Sequence, residues 1–239
     1  MEKYNLVTTL RRMGREFQDY FFPKNCLNCH TEGVWLCDSC KDSLFFITGG
    51  FCPFCGKLSG LFCVCGKCQN HTGIEKVFSL LRYNDPLARK IIKNLKYRYI
   101  RGIADELEPL IRKFFYKYKN LAETREDAVI VPVPLGWYKR AERGFNQAED
   151  LARVIGKILN IKVENNLIVK CGRTKNQANI SRHERMSNLD GAFKAKGSAP
   201  KNIILVDDVF TTGATVKEIA RVLRSAGAKN IQVITLARG

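Results

Sequence analysis

Two acidic residues and the threonine- and glycine-rich loop after them are the first residues with evident chemistry. Asp207 and Asp208 follow the apolar run 203–206 and precede the loop Thr211-Thr212-Gly213-Ala214-Thr215. Hydroxyls and the amides of such a loop bind phosphate, whereas carboxylates accept hydrogen bonds from sugar hydroxyls or coordinate Mg²⁺. The segment predicts a site for a phosphorylated sugar such as ribose 5-phosphate with a metal. A solvated acidic turn before a capped helix is the alternative interpretation.

The elements on either side of this loop must position it. The continuous apolar run predicts a strand over 203–206 that is covered on both faces, as in a parallel sheet. Apolar residues at 216, 219, 220 and 223 have helical spacing, which predicts a helix over 215–225 that begins at the loop. A helix N-terminus attracts anions, so strand, acids, loop and helix occur in the order that a phosphate site requires.

Cysteine pairs form the second group of residues with evident chemistry. Nine of the ten cysteines lie between Cys26 and Cys68, and eight of them form four CxxC pairs. Two such pairs complete a closed tetrahedral zinc shell of four cysteines, so four pairs predict two structural Zn²⁺ ions. Pairing in chain order gives these two ligand sets: Cys26, Cys29, Cys37 and Cys40, then Cys52, Cys55, Cys65 and Cys68. Interleaved pairing and a redox-active CxxC are the alternatives, and Cys63 and Cys171 are left outside.

The remaining patterns alternate between strand and helix. Strands are predicted at 77–83, 128–133, 161–163, 167–169 and 231–236, with helices starting near Pro86, at 103–118 and at 145–158. This alternation predicts an α/β domain with a parallel sheet over 73–239, behind a helix and Cys-rich head over 1–72. The polar stretch 171–193, which contains Arg173, Arg182 and Arg185, is predicted to be an anion-binding lid, with an inert insertion as the alternative.

The charge of the chain indicates a polyanionic partner. Lys and Arg number 40 against 23 Asp and Glu, for a formal net charge of +17. Basic residues interleaved with tyrosines between 82 and 101 predict a surface that binds single-stranded DNA. Its named residues are Arg89, Lys93, Lys96, Arg98 and Arg101. Buried tyrosines with a solvated lysine face, or a generally Lys-rich proteome, are the alternatives. Without an 18-residue apolar run or a secretory leader, we expect no transmembrane segment and a cytoplasmic location.

The motif VDDVFTTGAT resembles the site for phosphoribosyl pyrophosphate (PRPP) of type I phosphoribosyltransferases. Together with VPVPL, RGFNQ at 143–147, GAF at 191–193 and the four CxxC pairs, nearly the whole chain resembles the ComF family, to which ComFC and GntX proteins belong. The resemblance implies PRPP with Mg²⁺, with the acids on the ribose hydroxyls and the loop on the 5′-phosphate. It also implies a pyrophosphate turn containing Pro134, with Lys139, Arg140 and Arg185 as further pyrophosphate contacts.

The resemblance leaves three hypotheses for function. The first is a PRPP-binding protein that handles single-stranded DNA during natural transformation, a process in which family members take part. The second is an active phosphoribosyltransferase that transfers phosphoribose to a nitrogenous base, in which Asp207 and Asp208 would be the catalytic residues. The third is an assembly factor whose zinc head contacts a DNA helicase or a protein of the uptake machinery.

Overall fold

The computed structural model describes residues 24–96, 102–119, 127–171, 189 and 191–239. By its internal contacts the chain divides into two compact units, Met1–Ser43 and Leu44–Gly239. The predicted division into 1–72 and 73–239 stays a prediction, and the second group of four cysteines belongs by contacts to the larger unit. The predicted N-terminal helix, the polar lid from 172 to 188, Arg98 and Arg101 lie outside the described residues.

The described part of the smaller unit is a cysteine-containing turn followed by one short helix. Asn25 and Glu32 form an isolated antiparallel bridge, and the Cys26 amide donates to the carbonyl of Thr31 at 2.8 Å. Helix α1 spans Asp38–Asp42. Cys26 and Leu36 have no solvent exposure, so a small interior forms around the first cysteine pair.

The larger unit contains all the other helices and strands of the described residues. In chain order they are α2 Gly66–Thr72, β1 Lys76–Arg82, α3 Pro86–Leu95, α4 Ile103–Glu106, α5 Glu108–Lys117, β2 Ala128–Pro132, α6 Trp137–Arg143, α7 Gln147–Leu159, β3 Lys162–Val163, β4 Ile168–Lys170, β5 Phe193–Ala195, β6 Asn202–Phe210, α8 Ala214–Ser225 and β7 Asn230–Arg238.

Five parallel strands form the main sheet, in the order β1-β7-β6-β2-β3. The strands β6 and β7 are central, and their apolar residues, for example Leu205 and Val233, are completely buried. This burial explains the continuous apolar run of β6. A separate antiparallel pair, β4 and β5, joins residues before and after the polar lid. The parallel α/β fold expected from the alternating patterns is therefore confirmed.

Three of the differences from the sequence predictions have a clear physical reason. The helix predicted over 103–118 is divided at Leu107, because Pro109 has no amide hydrogen to continue the helical ladder. Strand β6 does not end at Val206 but continues to Phe210, since β7 pairs with it as far as Arg238. Helix α6 was not predicted, because none of its residues is buried and its sequence has no apolar stripe.

None of the helices in the described ranges has the length and apolar character needed to cross a lipid bilayer.

Candidate site for a phosphorylated sugar and two cysteine clusters

The acid pair lies where β6 extends past its neighbour β2. Pro132, the last residue of β2, is in register with Val206, and the Val133 amide still donates to the Val206 carbonyl at 2.8 Å. Beyond that point the described residues show β6 paired only with β7, with Asp207 opposite Thr235. Both carboxylates therefore lie at the carboxyl edge of the parallel sheet, the edge at which open α/β sheets bind ligands.

Asp208 is the more buried of the two acids, at 7% exposure. Its Oδ2 accepts a hydrogen bond from Gln147 Nε2 at 3.2 Å and lies 3.4 Å from the ammonium of Lys96. Gln147 begins α7, so the RGFNQ motif supplies a residue that holds the acid. Lys96, which was assigned to the DNA surface from the sequence, has its charge at the acid pair in this conformation.

The pKa of the Asp207 carboxyl is shifted far from its ordinary value. Burial, and then the negative charge of Asp208, raise the pKa of Asp207 to about 8. Its Oδ1 accepts from the Asp208 amide at 2.8 Å. Two adjacent carboxylates that resist full ionisation favour a ligand with positive charge or hydroxyl donors. The donor set therefore fits a sugar diol and a hard cation such as Mg²⁺.

The threonine- and glycine-containing loop follows β6 directly and begins the twelve-residue helix α8. Gly213 is the N-cap residue and is left-handed, with φ of 73°, a conformation that favours glycine. The Ala214 amide donates to Thr212 Oγ1 at 3.3 Å, while Thr211 and Thr212 are exposed. The first amides of α8 have no acceptor within the helix and carry the positive end of its dipole. The loop can therefore bind a phosphate.

A second turn lies beside the acids, between β2 and α6. Asn146 joins this turn to α7, because its Nδ2 donates to the Val133 carbonyl at 3.0 Å and its Oδ1 accepts from the Ala148 amide at 3.1 Å. The side chains of Lys139 and Arg140 are exposed on α6. Arg140 pairs with Glu149 through two contacts of 2.6 and 3.3 Å, so it would have to exchange this partner to bind pyrophosphate.

Lys170, a residue that the sequence analysis did not select, lies close to this turn. Its Cδ is 3.6 Å from the position that a Cβ on Gly136 would occupy, and its ammonium lies 5.6 Å from the centre of the Phe193 ring. Burial, and then the charge of Lys139, lower the pKa of Lys170. Two ammonium groups near enough to repel each other make a favourable place for an anion. The sequence feature that could have indicated this residue is the position of a lysine at the end of a short predicted strand.

The cysteines form two clusters that match pairing in chain order. In each set of four, the sulfur atoms all lie within 4.8 Å of one another. The Cys29 and Cys37 sulfurs are 3.5 Å apart, and those of Cys55 and Cys65 are 3.6 Å apart. Four thiolates around Zn²⁺ with Zn–S of about 2.3 Å have similar spacing. Both clusters fit a structural zinc ion, and Cys63 belongs to neither.

In each cluster, backbone amides donate hydrogen bonds to the sulfur of one cysteine. Burial raises the pKa of the Cys52 thiol, but hydrogen bonds from the amides of Cys65, Cys55 and Phe54 outweigh it and lower the pKa to about 6. Cys26 has the same balance, and its pKa is also lowered to about 6. Amide donors of this kind favour the thiolate, the form that binds zinc.

Family comparisons agree with both parts of this description. Residues 103–239 match the family model described as phosphoribosyl transferase domain, and residues 17–70 match the double zinc ribbon domain. The class of protein is therefore a phosphoribosyltransferase-type α/β domain with a double zinc ribbon, whose two four-cysteine clusters support two structural zinc ions.

Similar proteins narrow this class further. Competence protein F of Haemophilus influenzae is 30% identical over 91% of this chain and 98% of its own length. Competence protein ComFC of Bacillus subtilis is 28% identical over 85% of this chain and 84% of its own length. DNA utilization protein YhgH of Escherichia coli K12 is 30% identical over 78% of this chain and 83% of its own length. The chain belongs to the ComF family of competence proteins.

Solved structures resemble the chain more distantly. A Bacillus subtilis glutamine PRPP amidotransferase complexed with ADP and GMP has a TM-score of 0.32 at 18% identity, over 62% of this chain and 26% of that one. A Staphylococcus aureus hypoxanthine phosphoribosyltransferase has a TM-score of 0.32 at 15% identity, over 62% and 64% of the two chains. The assignment to a family rests on the sequence matches alone.

Proposed function

We propose that this chain binds PRPP with Mg²⁺ and also binds single-stranded DNA, and that it handles incoming DNA during natural transformation. The observation that carries the proposal is the placement of Asp207, Asp208 and the loop 211–215 at one edge of the sheet. Diol acceptors and a phosphate-binding helix start therefore lie next to each other. Ribose 5-phosphate carries the two complementary groups, a diol and a phosphate, in one small molecule.

The proposed binding mode assigns one part of PRPP to each structural feature. Asp207 and Asp208 accept hydrogen bonds from the ribose hydroxyls, and the loop 211–215 holds the 5′-phosphate. The turn containing Pro134 and the lysines at 139 and 170 face the pyrophosphate, while Arg140 and Arg185 stay predicted contacts. Mg²⁺, held by carboxylate and phosphate oxygens, would reduce the negative charge on the pyrophosphate.

Calorimetry with PRPP and Mg²⁺ tests this proposal. Replacing both acids, in an Asp207→Asn and Asp208→Asn double variant, should weaken PRPP binding at least tenfold, because a hydrogen bond to a charged carboxylate contributes about 1.5–3 kcal/mol. The control is Asp105→Asn, which removes an exposed carboxylate that pairs with Arg153 on another part of the unit. Absence of heat with the wild-type protein, or equal affinity in the double variant, would contradict PRPP binding and favour the assembly hypothesis.

The DNA part of the proposal is supported by charge, by exposed aromatic rings and by the printed names of the relatives. Arg89 and Lys93 are exposed on α3, and the Arg89 guanidinium lies 5.7 Å from the centre of the Tyr83 ring. On α6, Trp137 and Tyr138 are 58% and 66% exposed. Exposed rings among basic side chains are how proteins hold unpaired bases without sequence preference. The relatives named for competence and DNA utilization are consistent with a DNA ligand.

Fluorescence anisotropy with a labelled oligonucleotide of about 20 nucleotides, measured across salt concentrations, tests DNA binding. A Trp137→Ala and Tyr138→Ala double variant should bind at least about fivefold more weakly, since one lost base stack costs about 1–3 kcal/mol. Phe45→Ala is the matched control, because the Phe45 ring is 82% exposed and lies outside α3 and α6. Replacing Arg89 and Lys93 by Gln should reduce the slope of log K against log salt by about 1.4. A wild-type affinity that does not change with salt would contradict the proposal.

Phosphoribosyl transfer is the second candidate function, and the same site would perform it. Substitution at ribose C1 releases pyrophosphate, so Lys139 and Lys170 would stabilise the leaving group by charge. Pyrophosphate release with any nitrogenous base, above the level of the Asp207→Ala variant, would establish an enzyme. PRPP binding without release across a broad set of acceptors would favour PRPP as an effector.

A further inference from the structure

The turn that carries the first CxxC pair of the second cysteine cluster lies directly against the phosphate loop. The Phe54 ring, between Cys52 and Cys55, packs edge-on against Phe210, with ring centres 5.3 Å apart and an interplanar angle of 71°. A Cβ added to Gly213 would lie 2.5 Å from Phe54 Cε1 and 2.7 Å from Phe210 Cζ. The two rings therefore cover the backbone of Gly213 so closely that no side chain fits there.

Further contacts hold this turn on the α/β domain. The Arg238 guanidinium, at the end of β7, donates to the Pro53 carbonyl oxygen at 3.4 Å. The ammonium of Lys217, in the first turn of α8, lies 4.9 Å from the centre of the Phe54 ring. Cys52 has no solvent exposure and belongs to the same apolar cluster as Phe210 and Val216. The turn and the loop therefore form one packed structure within the larger unit.

We propose that the zinc ion of the second cluster orders the phosphate-binding loop through Phe54, which acts as a positioning residue. The inference rests on the proposed function of that loop. Two of the four ligands, Cys52 and Cys55, flank Phe54, so the metal fixes the short turn that presents the ring. Zinc binding supplies much of the folding free energy of such small sites. Without the metal, the turn no longer holds the Phe54 ring in place. The backbone at Gly213 then loses the packing contact that restricts its motion.

The consequence for binding is a cost in conformational entropy. A loop whose amides already point at the phosphate loses little entropy on binding it, whereas a loosened loop must be ordered by the ligand. Ordering the backbone of even one residue weakens the affinity about 5- to 30-fold. The first cluster belongs to the other compact unit, so it provides the matched control.

The test compares Phe54→Ala, Phe54→Leu, Cys55→Ser and Cys29→Ser in the full chain. Cys55 and Cys29 are exposed cysteines at equivalent places in the two clusters. Each protein is measured for zinc content, for PRPP affinity by calorimetry with Mg²⁺, and for hydrogen–deuterium exchange of residues 208–217 without ligand. We expect Phe54→Ala to keep two zinc ions, to bind PRPP at least fivefold more weakly and to exchange faster in the loop. Phe54→Leu should recover part of both effects.

Cys55→Ser should lose one zinc ion and show the same two effects, whereas Cys29→Ser should lose one zinc ion and leave loop exchange unchanged. Unchanged exchange in Phe54→Ala and Cys55→Ser, or equal acceleration in Cys29→Ser, would overturn the inference. If Phe54→Ala does not fold, Phe54→Leu against wild type decides the question in the same way. Exchange is measured without ligand, so the coupling is still tested if wild-type protein does not bind PRPP and the proposed function fails.

Discussion

Replacing Asp207 by Asn should stabilise the unliganded protein, and the gain should grow with pH. The carboxyl pKa is about 8 in the folded protein and about 3.9 in the unfolded chain, so the folded state binds this proton more tightly. A raised pKa contributes stability at low pH that is lost as pH rises towards the folded value. Asn keeps the Oδ1 that accepts from the Asp208 amide at 2.8 Å, but carries no charge.

The linkage between proton binding and folding gives the size of the change in the free energy of unfolding. With these two pKa values, the stability that the wild-type carboxyl loses between pH 6 and pH 8.5 is about 2.6 kcal/mol. Asp207 is partly exposed, so water relieves some of this cost, and we expect about 1–2 kcal/mol. The difference in free energy of unfolding between Asp207→Asn and wild type should therefore be larger at pH 8.5 than at pH 6 by that amount.

Urea denaturation at pH 6, 7 and 8.5, with excess zinc at every pH, measures this difference. Taking variant minus wild type at each pH removes the contributions of titrating groups that do not interact with Asp207. Glu142→Gln, which neutralises an exposed carboxylate on α6, should give no comparable trend with pH. A constant difference for Asp207→Asn, or one that shrinks as pH rises, would refute the assignment of the raised pKa to this residue.

Three further predictions concern the pyrophosphate turn, the zinc sites and the loop. Lys170→Met should weaken the binding of inorganic pyrophosphate about tenfold or more by calorimetry, because a charge-assisted contact is lost. Lys201→Met, which removes an exposed lysine, should leave the affinity unchanged. Equal affinities of wild type and Lys170→Met would exclude Lys170 from the site. Cys63→Ser should retain two zinc ions per chain by elemental analysis, and loss of one would make Cys63 a ligand. Gly213→Ala should lower the free energy of unfolding by about 1–3 kcal/mol in urea, because the new methyl meets two rings at positive φ. In a Phe54→Ala background, Gly213→Ala should cost less stability than in the wild-type protein. If the double variant loses the sum of the two single losses, the Phe54 ring and the new methyl at position 213 are not in contact.

The parts of the site that the sequence predicted are those in which neighbours in the chain are neighbours in space. The strand, acids, loop and helix from 202 to 225 follow one another, and each has its own local signal. Each CxxC pair likewise brings two sulfurs together in one turn. Pairing the two turns in chain order needed only the assumption of short connections, and in each set paired this way the four sulfur atoms lie within 4.8 Å of one another.

Contacts between distant segments carry no such signal. Helix α6 has no buried residue, so its sequence lacks the apolar periodicity by which helices are recognised. Lys96 was assigned to a DNA surface because its neighbours in the chain are basic, yet its ammonium lies 3.4 Å from Asp208. Lys170 at the end of β4 lies beside the turn at Gly136, where the charge of Lys139 acts on it. Only the tertiary fold brings these groups together.

The position of the acid pair follows from where β2 stops. Pro132 and Pro134 lack amide hydrogens, so β2 cannot continue its ladder along β6 and the chain turns away into α6. Strand β6 continues beside β7 as far as Phe210. Asp207 and Asp208 therefore lie beyond the end of β2, which pairs with β6 only as far as Val206. The acids lie between this turn and the phosphate loop in the chain of contacts, and Gln147 at the start of α7 donates to Asp208. Within the described part of the chain, the prolines that end β2 therefore leave Asp207 and Asp208 without a paired strand on the side where we propose that the ribose binds.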